Sequence, residues 1–381
     1  MQFAKFDIGL FLREHWQRKP LLIRNPWTDW TNPLEPDELA GLACESAVES
    51  RLVLRAGDGW SLEHGPVPEA RFATLGAEPW TLLVQAVDHH AADVTALIEP
   101  FRFIPNWRID DVMVSYATDG GGVGPHFDQY DVFLIQGLGR RRWRVGAVCD
   151  EETQLLPHDD LRLLDHFEAT EEWVLEPGDI LYLPPRFAHD GVAVGDDCMT
   201  YSIGFRAPSR SELIAAWCDD ALADLPEDDR YADPGLPLQD NPGEISAQAL
   251  DRLHAMIAER LMDREAFART FGRHSSTRRY PDIDWRPDEP MEIAELRARL
   301  EQGAALSRNP ASRFSFVAHA ADALSLFVDG QCFECRGDAA AFARSLCAAD
   351  RVEAGPDLTD DALATIRALC NQGSIAFDEE D

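Results

Sequence analysis

The stretch GGGVGPHFDQYDVFLIQGLGRRRWRVG, Gly120 to Gly146, places His126 and Asp128 between a glycine-rich turn and an apolar strand pattern. In a chain this rich in acidic residues a His-x-Asp/Glu tripeptide is expected about twice by chance, and it begins again at His158 and at His166. Those two copies lie in a polar, acid-rich segment and are interpreted as surface residues. Side chains two apart on a strand point to the same side, so His126 and Asp128 are predicted to face one interior.

His189 is the candidate for a third metal ligand. It follows a strand pattern, a Gly-Asp turn and a Pro-Pro pair in the segment EPGDILYLPPRFAHDG. Two histidines and one carboxylate form a facial triad, which leaves three positions open on an octahedral metal ion. Structural zinc sites are closed, so this set fits a reactive centre, and its donors favour non-haem Fe(II). We therefore predict that His126, Asp128 and His189 are the catalytic metal ligands.

The segment RRRWRVG supplies a candidate cation for a cosubstrate. The commonest class of Fe(II) oxygenase takes its electrons from a dicarboxylic keto acid, whose distal carboxylate needs a fixed positive charge. Trp143 and Val145 are apolar and should face inward, and Arg141 lies on the same side of the strand. A buried arginine suits bidentate binding of a carboxylate. The other arginines of this segment are predicted to be exposed and to have no role: Arg140, Arg142 and Arg144.

The pattern of the whole chain predicts a mainly β protein with added helices. Residues 1–208 contain β-branched and aromatic runs separated by Gly, Pro and Asp, which is typical of a sandwich or a jelly-roll barrel. Residues 209–286 show apolar residues at helical spacing. Residues 287–381 combine helices, one of them capped at Thr359, with a hairpin turn at Asp329-Gly330. This last combination is the outline of a winged helix.

The charge balance excludes some classes of protein. The chain has 381 residues, 68 acidic against 35 basic, for a net charge of −33. Nucleic-acid phosphates need a basic surface, so direct nucleic-acid binding is not expected. The acidic surface either attracts a basic protein partner or reflects adaptation to salt, and composition does not separate the two.

Other features of the sequence predict a cytoplasmic location. No apolar run is long enough for a membrane helix, and the first residues do not resemble a signal peptide. The eight cysteines are spread along the chain, which suits reduced thiols better than disulfides. Cys332 and Cys335 form a single CxxC without a second pair, so a metal or redox role for them is not expected.

The motif HFDQYDVFLIQGLGRRRWRVG, with PPRFAHDGVA and YSIGFRAP downstream, resembles the cupin-type JmjC-domain ribosomal oxygenases. The resemblance is strongest to the bacterial branch that hydroxylates an arginine of large-subunit ribosomal protein sixteen. It implies a double-stranded β-helix (jelly-roll, cupin) catalytic domain in residues 1–208. It also implies a helical dimerisation segment in residues 209–286 and a winged-helix-like domain in residues 287–381.

The resemblance also implies an activity and its cofactors. The family's iron ligands match His126, Asp128 and His189, its cosubstrate arginine matches Arg141, and Ser115 matches a position near the cosubstrate or substrate. The implied reaction uses Fe(II), 2-oxoglutarate and O₂ to hydroxylate C3 of an arginine in a basic ribosomal protein. The implied assembly is a homodimer. Acidic contacts for such a substrate are sought at Asp119, at Asp131 and in residues 150–172.

Three alternatives stay open at this point. Another JmjC reaction, such as histidine hydroxylation or demethylation of a basic protein, uses the same metal triad. A cupin that binds a metal without a keto acid has no need of an inward arginine, which speaks against that class. A regulator that binds nucleic acid through its C-terminal part conflicts with the acidic composition.

Overall fold

The computed structural model describes residues 2–57, 59–76, 78–158 and 160–378 of the chain. The described residues form two compact units, the first ending at Ala207 and the second beginning at Pro208. None of the described helices is long and apolar enough to cross a membrane.

The described residues of the first unit form eleven strands in two antiparallel sheets. The strands are β1 Leu21–Ile23, β2 Ser50–Ala56, β3 Gly59–His64, β4 Trp80–Val84, β5 Ile109–Ala117, β6 Asp131–Leu138, β7 Arg141–Val148, β8 Ala169–Leu175, β9 Ile180–Leu183, β10 Phe187–Ala193 and β11 Cys198–Phe205. Eight of them form the major sheet in the order β1-β9-β6-β11-β5-β4-β2-β3, and the minor sheet has the order β10-β7-β8.

Short helices connect these strands. The α-helices are α1 Ile8–Glu14, α2 Pro36–Cys44, α3 Glu69–Phe72 and α4 Ala92–Thr95, and the 3₁₀-helices are Val87–His89, Ala96–Phe101 and Asn106–Arg108. The buried residues of α2 and of the segment 87–101 pack with one face of the major sheet in the largest hydrophobic cluster of this unit. The sheet's other face is therefore free to line a site.

Alternation along the strands separates these two faces. In β11 the fully buried Met199, Tyr201 and Ile203 join the large hydrophobic cluster, whereas Thr200 and Ser202 point to the opposite face. The same period of two runs through β4, β5 and β6. Apolar side chains from both sheets close one part of the space between them in a second cluster: Val132, Leu134, Trp143, Val145, Leu175, Leu181 and Leu183. The two facing antiparallel sheets form the double-stranded β-helix.

The sequence predicted most of these strands but not all of them. The sequence predicts strands in LLIRN, WTLLVQAV, DVMVSYA, DVFLIQGLG, RRRWRVGAV, EEWVLEPGDILYLPP and MTYSIGF, and the structure has β1, β4 to β9 and β11 there. The strands β2, β3 and β10 were not predicted. His189 therefore lies within a strand, not after one, because pairing of β10 with β7 holds a segment that contains Asp and Gly.

The second unit contains six helices and six strands among its described residues. The helices are α5 Arg210–Ala223, α6 Ala247–Leu261, α7 Arg264–Ser276, α8 Ile293–Glu301, α9 Gly337–Ala348 and α10 Asp360–Asn371. The strands are β12 Ala305–Arg308, β13 Phe314–Ala320, β14 Ala323–Val328, β15 Gln331–Arg336, β16 Arg351–Glu353 and β17 Ile375–Phe377. They form two three-stranded sheets with the orders β16-β12-β17 and β13-β14-β15.

Local signals predicted several details of this unit. Asp329 and Gly330 have φ values of 52° and 82°, as a two-residue turn between β14 and β15 requires. The Thr359 side chain accepts a hydrogen bond from the N–H of Ala362 and caps α10. The strands β12, β13, β16 and β17 were not predicted from the sequence.

Candidate active site

A cavity of about 360 Å³ lies between the two sheets of the first unit. Its lining comes from inward positions of both sheets and from two connecting segments, 123–130 and 160–163. The polar and charged lining residues are Arg51, Thr81, Ser115, His126, Asp128, Tyr130, Arg141, Asp160, Arg162, His189, Thr200 and Ser202. All five site residues predicted from the sequence are among them.

His126, Asp128 and His189 form a cluster that can hold a metal ion. One ligand atom from each lies within 4.8 Å of the others, and no other such cluster of His, Cys, Asp or Glu occurs among the described residues. Asp128 Oδ2 is 3.9 Å from His126 Nε2 and 3.6 Å from His189 Nε2. Two imidazoles and one carboxylate are the donor set that suits a reactive divalent metal with open positions.

Backbone hydrogen bonds hold the two histidines against each other. The N–H of His126 donates to the carbonyl of His189 at 3.0 Å, and the N–H of His189 donates to the carbonyl of His126 at 2.8 Å. The Asp128 carbonyl accepts from the N–H of Arg186. His126 and Asp128 themselves lie in the connection before β6, not in a strand. The prediction that strand alternation brings them together was therefore wrong, although both line the predicted interior.

The imidazole rings are held in the tautomer that a metal needs. His126 Nδ1 is 2.8 Å from the Gly124 carbonyl oxygen, and His189 Nδ1 is 2.9 Å from the Phe187 carbonyl oxygen. A carbonyl only accepts, so each Nδ1 carries the proton and each Nε2 lone pair is left for a metal. Gly124 has φ +82°, a conformation that favours glycine and turns its carbonyl toward the ring.

The charge state of His189 also suits a ligand. Burial, together with the neighbouring His126, lowers the pKa of His189 to about 4. The ring is 3% exposed. At neutral pH it is uncharged and its Nε2 is available to a metal ion.

Arg141 is a buried cation with unpaired donors. It is 3% exposed, and its Nε and Nη2 are buried without a hydrogen-bond partner. The predicted alternation of β7 holds, since Arg141, Trp143 and Val145 are buried and Arg142 is exposed. Buried donors without partners cost free energy. A ligand that accepts hydrogen bonds from Arg141 would remove this cost. A carboxylate matches the guanidinium in charge and geometry.

Other inward side chains of the cavity were not identified from the sequence. Thr200 and Ser202 line it from β11, and Ser115 lines it from β5, where it pairs with Thr200. Polar residues at alternate positions of the otherwise apolar segment MTYSIGF were the available signal. Trp143 also lines the cavity. The sequence predicted only that it lies on the inward face of its strand.

Arg144 and Asp190 form an ion pair that was not predicted. Their side chains pair on the outer face of the minor sheet, where Arg144 lies opposite Asp190 in the β7–β10 register. Arg144 also lies over the Phe167 ring, with its Cζ 5.6 Å from the ring centroid. The prediction that Arg144 has no role is therefore wrong, because it pairs with the buried carboxylate of Asp190, the residue next to His189.

Several other residues considered in the sequence analysis make structural hydrogen bonds or ion pairs, or are exposed. Asp131 is fully buried and accepts hydrogen bonds from Tyr182 and Gln17 and pairs with Arg108, so it is no substrate contact. Asp119 accepts from the N–H of Gly195. His166 is exposed and His158 Nδ1 caps its own loop. All eight cysteines are free, and Cys332 and Cys335 lie on opposite faces of β15.

Matches to two family models define the class of protein to which this chain belongs. A family model described as the JmjC domain matches residues 96–213, and one described as the ROXA-like winged helix matches residues 259–376. The predicted fold class, mainly β with a double-stranded β-helix, helices and a winged helix, is confirmed.

Sequence identity to curated relatives identifies the family within this class. Over 299 residues the chain is 45% identical to the ribosomal protein uL16 3-hydroxylase of Escherichia coli (strain K12), covering 78% of this chain and 79% of that protein. It is 38% identical to a probable ribosomal oxygenase of Haemophilus influenzae over 312 residues, 79% of this chain and 76% of that protein. The chain belongs to the JmjC-domain ribosomal oxygenases.

Solved structures match over nearly the whole chain. An X-ray structure of E. coli YcfD aligns with a TM-score of 0.88 at 39% identity, covering 99% of this chain and 100% of that one. A structure of YcfD, a ribosomal oxygenase, in complex with cobalt and 2-oxoglutarate aligns with a TM-score of 0.87 at 38% identity, covering 99% of both chains.

Proposed function

We propose that this protein is an Fe(II)- and 2-oxoglutarate-dependent dioxygenase that hydroxylates C3 of an arginine side chain in ribosomal protein uL16. The observation that carries the proposal is the presence of a three-ligand metal cluster and a buried, unpaired arginine in one cavity. The family relationship supports the substrate, since one relative is a uL16 3-hydroxylase.

The donor set fits iron. His126, Asp128 and His189 are the proposed ligands, because their Nε2 and carboxylate atoms converge and the Nδ1 protons are held by carbonyls. The chemistry supplied by Fe(II), 2-oxoglutarate and O₂ is insertion of one oxygen atom into a carbon–hydrogen bond, with the keto acid converted to succinate and CO₂. A 2-oxoglutarate complex of YcfD with cobalt supports this choice of cosubstrate.

The chain's own residues bind and orient the reactants. Arg141 is proposed to hold the distal carboxylate of 2-oxoglutarate, with Ser115 and Thr200 beside it on the opposite sheet. Apolar side chains such as Leu134 and Trp143 exclude water from this end of the cavity. Positioning in a dry cavity is the protein's main contribution to such a reaction.

The exposed side of the cavity favours a cationic substrate side chain. Tyr130 lines the cavity and is 43% exposed. Burial of its hydroxyl raises the pKa of Tyr130, and the nearby carboxylates of Asp128, Asp111 and Asp110 raise it further. Asp160, from the acid-rich segment, also lines the cavity. A guanidinium entering here can contact the Asp160 carboxylate and the aromatic face of Tyr130, in a cavity that Arg51 and Arg162 also line.

The test is turnover on peptides. The Fe(II)-loaded protein is incubated with 2-oxoglutarate, O₂ and peptides that carry arginine or histidine segments of ribosomal proteins, including uL16. We expect succinate production coupled to a mass gain of one oxygen atom on a uL16 arginine. The control is the His126→Ala variant, in which both signals are lost.

Each other result has a defined meaning. Oxygen addition to a histidine would assign another JmjC reaction, histidine hydroxylation, to the same metal site. Metal binding without any succinate would make the protein a cupin that does not use a keto acid. The unpaired Arg141 favours the oxygenase over that last alternative.

We also propose that the protein is a homodimer formed through the helical segment. No residue of α6 is buried within the described structure. Leu250, Leu253, Ile257 and Leu261 recur at helical spacing along one side of this helix, and Ile257 is 60% exposed. A contiguous exposed apolar stripe is typical of a protein–protein interface.

Ile257→Glu is expected to convert the dimer to a monomer, because a buried carboxylate without a partner opposes association. Light scattering coupled to size-exclusion chromatography measures the mass. The matched control is Gln248→Glu, which adds the same charge on the polar side of α6 and should leave the mass unchanged. An unchanged mass for Ile257→Glu would contradict an interface on this stripe.

The domain limits at residues 208 and 286 and the cytoplasmic location stay proposals. The break between the two compact units after Ala207 supports the first limit. Relatives that act on a ribosomal protein support a location where ribosomes are made.

A further inference from the structure

Trp143 has a polar atom that the fold does not satisfy. The indole is 5% exposed, and its Nε1 is buried with no hydrogen-bond partner. Among the described residues it is the one side chain whose sole polar atom is in this state. Buried indole N–H groups normally find an acceptor, and leaving one unpaired costs free energy.

The ring is held in this place by a close approach of the backbone. Gly191 lies opposite Trp143 in the β7–β10 register, and a Cβ at Gly191 would be 2.6 Å from the Cζ3 and Cη2 atoms of the indole. This edge of the indole therefore lies on β10. Nε1 belongs to the opposite edge of the ring system, which faces away from β10.

Trp143 lies between the metal cluster and the cosubstrate arginine. In the register of β7 with β10, Arg141 is opposite Ala193, Trp143 is opposite Gly191 and Val145 is opposite His189. Each step along one face of a strand is two residues, about 6.6 Å. The His189 ring is 5.9 Å from the Trp143 ring, and Arg141 Cζ is 5.8 Å from it on the other side. A ligand that reaches from the metal to Arg141 must pass Trp143.

We propose that Trp143 is a cosubstrate-binding residue, whose Nε1–H donates a hydrogen bond to a carboxylate oxygen of bound 2-oxoglutarate beside Arg141. This inference rests on the proposed function, because it takes 2-oxoglutarate as the ligand. Among the described residues that line the cavity, it accounts for the two side chains with buried, unpaired polar atoms, Trp143 and Arg141. It also accounts for a glycine at position 191, since any side chain there displaces the indole.

The first test is the Trp143→Phe variant, which removes the N–H and keeps an aromatic ring. Binding of 2-oxoglutarate is measured by calorimetry on the full chain loaded with Zn(II), without O₂ chemistry. We expect binding about tenfold weaker than in the wild type, as for loss of a hydrogen bond to a charged group. The control is Trp173→Phe, which lies opposite Trp143 on β8 and does not line the cavity. It should bind 2-oxoglutarate as the wild type does.

The second test measures the wild-type protein, so the stability of a variant does not affect its interpretation. In the Zn(II)-loaded wild type labelled with ¹⁵N-tryptophan, the Trp143 indole resonance is assigned as the one missing from Trp143→Phe. Adding 2-oxoglutarate should move this proton downfield and slow its exchange with water. Equal affinity of Trp143→Phe and wild type, or an unmoved resonance, overturns the inference while leaving the oxygenase proposal standing. Absence of 2-oxoglutarate binding in the wild type overturns both.

Discussion

Asp128→Ala is expected to abolish hydroxylation, because it removes one of the three proposed metal ligands. The carboxylate lies between the two imidazoles, with Oδ2 3.6 Å from one Nε2 and 3.9 Å from the other. Without it two imidazoles remain, and the three-residue cluster loses its carboxylate as a ligand for a divalent cation. Loss of a partner outside the ligand set already costs about 10–100-fold in metal affinity. We expect a larger loss here, measured by titration of the metal-free protein with Co(II) and its visible absorption.

The fold should survive this substitution, because the backbone bonds between His126 and His189 do not involve the Asp128 side chain. The melting temperature of the metal-free variant should therefore stay close to that of the metal-free wild type. Asp29→Ala, an exposed aspartate of the same unit, serves as the matched control and should retain full activity. Normal Co(II) affinity in Asp128→Ala would remove Asp128 from the ligand set.

Arg141→Met is expected to leave metal binding intact and to weaken 2-oxoglutarate binding by about 100-fold. The reason is that a carboxylate enclosed between the sheets loses a buried counter-charge, and a buried unpaired charge costs several kcal/mol. The measurement is the KM for 2-oxoglutarate in succinate production, together with calorimetry on the Zn(II)-loaded protein. Methionine keeps the length and apolar stem of the arginine, which limits effects on packing.

Two further variants test whether the side chain at position 141 causes the expected change in the KM for 2-oxoglutarate. Arg142→Met changes the exposed neighbour on the outer face and should have no effect on the KM. Arg141→Lys keeps the charge without the planar fork and should give an intermediate KM. A normal KM in Arg141→Met would place the distal carboxylate elsewhere in the cavity.

The sequence predicted the chemistry of the site better than its local structure. The inward side of β7 follows from simple alternation, because Trp143 and Val145 mark the buried face on which Arg141 lies. His126 and Asp128 were identified for a reason that does not hold, since they lie outside the strands. They are brought to His189 by a pair of backbone hydrogen bonds between segments distant in sequence, which no local pattern encodes.

The undetected features share one physical origin. The strand β10 contains Asp190 and Gly191, residues with low strand propensity, and forms because β7 supplies the hydrogen-bond ladder. Asp131 resembled a surface acid, yet it is buried with partners from Tyr182, Gln17 and Arg108. Arg144 resembled one of several exposed arginines, yet it pairs with Asp190. Partners for charges come from tertiary contacts, which a single sequence does not reveal.

Substitutions on the two faces of the major sheet have different consequences during evolution: one face lines the cavity and the other belongs to the core. Substitutions at inward positions outside the proposed cosubstrate contacts, such as Ser202, alter what the cavity accepts, and their neighbours along the strand remain in the core. A new substrate can thus be acquired without repacking the protein. Substitutions at Met199 or Tyr201 act on stability instead. One scaffold can therefore diversify in specificity at little cost to folding.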